Sequence, residues 1–255
     1  MTTMAIDAPL ANDRSFFRNL ITAMAVILVA GFVVQLAMGR SSFGAPPIVH
    51  AHAIAFMGWV SITLAQVWLV AGGNMAAHRK LGYLAVAWSI GLLILGPLVT
   101  IATVQTARTP FFFQPQHFLV ANPVSLIGFA GLFFAAIALR RRADWHARLH
   151  AGAFVMLMGP GFGRLLPMPL LPPYAFEIAG LTALIFPLIG IVRDWRVQGR
   201  PHPAWFWGIG VLLATTLLAR VIGFSPVGEA IYAAVTAGGS LAGTDGLAFP
   251  PPPPM

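Results

Sequence analysis

An all-α bundle of about seven transmembrane helices, with the N-terminus inside and the C-terminus outside, is the fold this sequence predicts. Three observations predict it. Hydrophobic residues make up 58% of the 255 positions and charged residues 9%, which is too apolar for a soluble domain of this length. The apolar positions gather into successive runs near the roughly 20 residues that a helix needs to cross a bilayer. The basic residues fall on alternate breaks between those runs. In hydrocarbon a helix satisfies its own backbone, and the runs are too long and continuous for the alternating strands of a membrane barrel.

The predicted spans are residues 17–39, 50–72, 81–104, 118–140, 148–168, 174–193 and 204–223. Residues 1–16 carry Asp7 and Asp13 and lack both a basic start and a small-residue cleavage site, so they read as a cytoplasmic segment before a retained first helix. The domain is therefore 17–223, followed by an outer tail, 224–255. In that tail "VGEAIYAAVTAGGSLAG" reads as an interfacial helix or the start of an eighth span, and "LAFPPPPPM" as an extended polyproline-like end.

Orientation follows from counting Lys and Arg. With the N-terminus inside, the inner flanks hold Arg14, Arg18, Arg79, Lys80, Arg140, Arg141, Arg142, Arg148, Arg193, Arg196 and Arg200, and the outer flanks hold Arg40, Arg108 and Arg164. The formal +8 charge is thereby a topological anchor set facing a lipid bilayer, with no nucleic-acid role. The outer breaks "GAPPIV", "TPFFFQPQHF" and "MPLLPPY" join proline to aromatics, as chain at headgroup depth does. There is no cysteine, which excludes disulfides, iron–sulfur clusters and thiolate zinc sites. The localisation implied is a bacterial inner membrane.

The seven histidines sort by face. His50, His52 and His117 stand at outer helix ends; His78, His146, His150 and His202 stand at inner ones. Spans 2 and 4 thus bring histidine to one face and spans 3 and 5 to the other, as two stacked bis-histidine haems in a four-helix core would require. His52, Trp59 and Gln66 are seven apart and share one stripe, and His146 and His150 are one turn apart. The candidate ligand set is His52 with His117 outside and His78 with His146 or His150 inside, with Arg164 at the depth of a haem propionate. Each histidine taken alone is as well explained as an interfacial side chain. A non-haem ion held by His78, His146 and His150 is a further candidate, disfavoured by the surrounding arginines.

Other polar residues in or near the spans carry expectations too. Glu177 is a candidate partner for Arg164, and Arg220 either snorkels outward from the last span or meets Glu229. Gln66 and Asn122 are candidates for hydrogen bonding between helices. Pro97, Pro123 and Pro160 are expected to distort their helices.

The succession "HAIAFMGWVSITLAQVWLV", "HRKLGYL" and "RRRADWHARLHAGAFVMLMGPGFGRLL" resembles an uncharacterised bacterial family of multi-pass membrane proteins. The likeness covers residues 48–168 and rests on His52, Trp59, Gln66, His78, Arg79, Leu81, Gly82, His146, Arg148, Leu149 and Arg164. It implies a helical membrane protein and brings no activity. A looser resemblance, to the two-haem transmembrane cytochromes b of the ascorbate-dependent kind, implies haem b and electron transfer, although there the ligands lie deeper in the helices. Two other classes stay open: a non-catalytic accessory subunit or assembly factor of a larger membrane complex, and a small-molecule or lipid transporter with a midplane cavity.

Overall fold

The protein is described by a computed structural model covering residues 4–40 and 44–252, with side chains from residue 13 onward. The side chain of Asp7 and residues 253–255 of the proline run lie outside the described residues. The chain is all helix and connection: among the described residues there is no strand.

Among the described residues six helical stretches are long and apolar enough to cross a membrane, where the sequence predicted seven. Helix α1 spans Met4–Ala37, beginning well before the predicted span, with Asp13–Ala37 as its apolar part. Helix α2 (Pro47–Ala71) starts on a proline, whose missing N–H is no loss in a first turn. Helix α3 (Met75–Gln105) is capped by the Asn74 side chain, which accepts from the Ala77 N–H at 3.1 Å. His78 therefore sits in its first turn, not ahead of it. Helix α4 (Pro115–Ala138) likewise takes in His117, which the sequence had left in a turn.

The fifth predicted span is two pieces, α5 (Ala143–Met156) and α6 (Gly159–Leu165). Pro160 lacks the N–H that would bond back across the break, and glycines stand on either side of it. Helices α3 and α4 run through Pro97 and Pro123 without interruption, so proline alone does not decide the matter. Helix α7 (Ala175–Leu181), a 3-10 turn (Thr182–Leu184) and α8 (Ile185–Gln198) together form one crossing-length stretch, closed by Gly199 at φ +73°. Helix α9 (Pro203–Gly223) follows, capped by the His202 ring.

Successive helices return the chain between two ends. One is arginine-rich and holds the α2–α3, α4–α5 and α8–α9 connections; the other holds the proline and aromatic loops. Helix α1 packs on α2 and α6, α2 lies along α3, and α4 lies between α5 and α9. Trp59 is fully buried among α2–α5: its Nε1 donates to Ser89 Oγ at 3.1 Å, and Phe129 and Phe154 meet its ring edge to face at 5.3 and 5.2 Å. Outward faces carry large apolar side chains, including Val26 and Val33 on α1, Ile90 and Ile94 on α3, and Trp207 and Leu217 on α9. Membrane-embedded helices need such a surface toward lipid.

The tail folds back on the proline-rich end. Helix α10 (Pro226–Thr236) has 11 residues, too short to cross. Beyond it the Gln116 N–H donates to the Gly246 carbonyl, and Gln114 Nε2 to that of Leu247, both at 2.8 Å.

Candidate functional site

Three polar clusters lie inside the bundle, and they differ in how completely they are bonded. The first is at the arginine-rich end. Arg148 on α5 and Asp194 on α8 are both buried and paired bidentately, Nε to Oδ2 and Nη2 to Oδ1, each at 2.8 Å. Trp205 Nε1 donates to Oδ2 at 2.8 Å, Arg193 Nη1 to Oδ1 at 3.2 Å, and Arg148 Nη1 to the Asp144 carbonyl at 3.0 Å. Arg193 also pairs with Asp13, which brings in α1. Trp205 lies flat against Gly190, where a Cβ would collide with its ring. Sequence reading took Arg148 and Arg193 as surface anchors and passed over Asp194. The available signal was a lone carboxylate inside the basic "VRDWR".

The second cluster lies at the proline-rich end. Glu177 accepts from Arg220 Nη1 at 2.6 Å, and His117 Nε2 stands 3.9 Å from the same oxygen. This corrects two expectations: Glu177 is the partner of Arg220, not of Arg164, and Arg220 does not meet Glu229. The His117 ring is wedged between Phe176 and Phe224, against Gly223 of α9. His52 has different neighbours, Phe56 on its own helix and the charge of Arg164. Asn122 also departs from expectation: its amide donates to the Phe118 carbonyl of its own helix at 2.9 Å rather than across helices.

The third cluster is at the arginine-rich end of α2, α3 and α5. His78 and His146 lie 6.3 Å apart between ring centroids, His146 and His150 6.2 Å, and His150 stands 6.0 Å from Trp59 and 5.7 Å from Phe133. His146 Nδ1 is 2.8 Å from the Ala136 carbonyl. That contact assigns the Nδ1 proton and leaves Nε2 as the lone-pair nitrogen. The Gln66 backbone is in hydrogen-bonding range of His78. Four buried atoms here have no hydrogen-bond partner: His150 Nδ1 and Nε2, His78 Nδ1 and Gln66 Oε1. A buried polar atom without a partner costs about 1–3 kcal/mol, so a cluster of them calls for explanation.

Among the described residues no three His, Asp or Glu side chains gather closely enough to hold one metal ion, which leaves the His78–His146–His150 ion without support. A haem asks for two imidazoles from facing helices, and this cluster has histidines on α3 and α5 with open nitrogens, His150 lying beside Trp59 and Phe133. Beside the cluster, outside the apolar spans, burial pulls the Asp144 carboxyl upward, but the His202 hydrogen bond and neighbouring donors outweigh this and hold it below the ordinary carboxylate range. Comparison with known protein families, with curated proteins and with solved structures finds no match to this chain.

Proposed function

We propose that this is a bacterial inner-membrane protein that binds haem b between α3 and α5 and passes electrons within a membrane redox chain. The observation that carries the reading is the set of open ring nitrogens on His78 and His150, shielded from solvent beside Trp59 and Phe133. When bound, the haem supplies a one-electron couple.

The chain's own residues do the rest. His78 brings a nitrogen from α3, and His150 or His146 brings one from α5. The Ala136 carbonyl fixes the His146 tautomer and turns its ring. Trp59, Phe129 and Phe133 exclude water, and the exposed Arg79 offers a cation to acidic groups at a cofactor's edge. The reading rests on this cluster, because His52 and His117 stand among different neighbours.

The topology belongs to the same proposal. Helices α5 and α6 together lead from Arg148, bonded beside α8, to Arg164, whose carbonyl accepts from Gln35 near the end of α1 at 3.0 Å. On this reading they make a seventh crossing, and the basic flanks support an N-terminus inside. The test is a reduced-minus-oxidised spectrum of the purified protein, with haem quantified per chain. About one haem b, lost in His150→Leu and in His78→Leu while both remain folded, supports the reading. A colourless chain purified from haem-sufficient cells overturns it.

A further inference from the structure

Among the described residues the pairing of charges leaves one partly buried arginine without a side-chain acceptor. Glu177 is committed to Arg220, Asp194 to Arg148 and Arg193, Asp13 to Arg193, and Asp144 to His202. Arg164 has no carboxylate among the described residues, although it is half-buried. Arg18 is half-buried without one as well, but Asn19 accepts from both its Nε and Nη2. Arg164 has a single protein acceptor, the Pro160 carbonyl at 2.8 Å from Nη1. A guanidinium carries five N–H donors, so the rest of its fork is unspent.

The fold holds this group in place. Its guanidinium lies over the Phe32 ring, 3.9 Å from the centroid. The approach depends on two glycines: a Cβ on Gly31 would stand 2.6 Å from the Gly161 carbonyl oxygen, and one on Gly161 would stand 2.9 Å from Leu28 Cα. Phe32 meets Phe56 at 6.2 Å, tilted by 43°, and Phe56 stacks on His52 at 6.0 Å, so an aromatic row runs from Arg164 to His52, whose ring feels the Arg164 charge. His52 Nδ1 is buried and has no partner among the described residues. A cation sheltered from water, with no anion among the described residues, is a binding site for an anion from outside.

We infer that Arg164 binds an oxyanion of phosphate chemistry at the proline-rich end of the bundle, with His52 within electrostatic range. The guanidinium fork matches two phosphate oxygens. Two sources share that chemistry: the phosphodiester of a membrane lipid, whose headgroup depth this end occupies, and free inorganic phosphate. The inference does not depend on haem.

The full-length protein, stripped of lipid in neutral detergent, is titrated with phosphatidylglycerol in one arm and inorganic phosphate in the other, following its thermal midpoint by tryptophan fluorescence. A tenfold excess over Kd should raise the midpoint by ~3–6 °C. Arg164→Gln should abolish the rise, Arg164→Lys should reduce it, and Arg108→Gln, an exposed arginine outside the site, should keep it. A rise with lipid alone assigns a headgroup; a rise with both probes assigns the bare oxyanion. No rise in the wild type, or an equal rise in Arg164→Gln, overturns the site. If Arg164→Gln does not fold, an undiminished rise in both Arg164→Lys and His52→Gln overturns it. Haem per chain is measured on the same samples, so a failure of the haem reading is visible separately.

Discussion

Helix α5 carries two polar clusters on different faces, and only one of them is complete. Arg148 has its charge neutralised by Asp194, with Trp205, Arg193 and the Asp144 carbonyl filling the remaining positions. His150, two residues on, has two buried ring nitrogens and a partner for neither. Both lie in the same low-dielectric surroundings, where an unmet polar group is costly. The complete cluster ties α1, α5, α8 and α9 together. The incomplete one has bonding capacity that no described residue uses.

The comparison breaks first, and hardest, at Asp194. Asp194→Ala leaves a buried guanidinium without its counter-charge, and removing one member of a buried pair costs about 3–5 kcal/mol. The thermal midpoint should fall by ~6 °C or more for a chain of this size, with haem per folded chain unchanged. Replacing both partners, Arg148→Met with Asp194→Leu, should recover much of that loss, because an apolar pair carries no unpaired charge. If the double variant is as unstable as the single, the network does more than satisfy itself. Trp59→Ala comes close behind: a fully buried tryptophan at the meeting of four helices leaves a cavity worth about 3–5 kcal/mol, and Ser89 loses its donor.

On the other face the sign reverses. His150→Leu removes two unmet polar atoms at similar volume, so the haem-free protein should be as stable as the wild type or up to about 1–3 kcal/mol more stable. Denaturation of the two apo-proteins checks this. A destabilisation by His150→Leu like that of Asp194→Ala would mean the histidine is a structural residue and erase the contrast.

Much of this was legible in the sequence, for physical reasons that particular residues make plain. Apolar runs and basic flanks depend on composition alone, so the helices and the sorting of histidines between two ends could be read directly. The stripe of His52, Trp59 and Gln66 followed from helical period, as did the closeness of His146 to His150. What escaped depended on tertiary approach. Pro160, where the helix stops, differs locally from Pro97, where it continues, by a second flanking glycine, Gly161, and that glycine is what lets α6 pack closely on α1. For Arg220 the sequence offered outward snorkelling or Glu229, nearby in the chain, whereas α9 brings it to Glu177 from 43 residues away. Asp194 looked like one charge among surface charges until α5 and α9 closed over it.

The smallest effect probes the border between the clusters, where Asp144 meets His202 at 3.1 Å. Its carboxyl is held below the ordinary range, chiefly by the His202 hydrogen bond against the opposing pull of burial. A carboxylate with a lowered folded pKa contributes stability above its unfolded value, about 3.9, and loses it as the pH falls through the lower folded value. The side chain is half exposed, so the contribution is that of a surface pair, about 0.2–1 kcal/mol. Asp144→Asn should therefore lower the thermal midpoint slightly at neutral pH, and the two proteins should converge only once the pH has fallen below the unfolded value of about 3.9. Convergence already at that value would mean the folded carboxyl is not held low. A deficit persisting in acid, where the carboxyl is protonated, would assign the effect to something other than its charge.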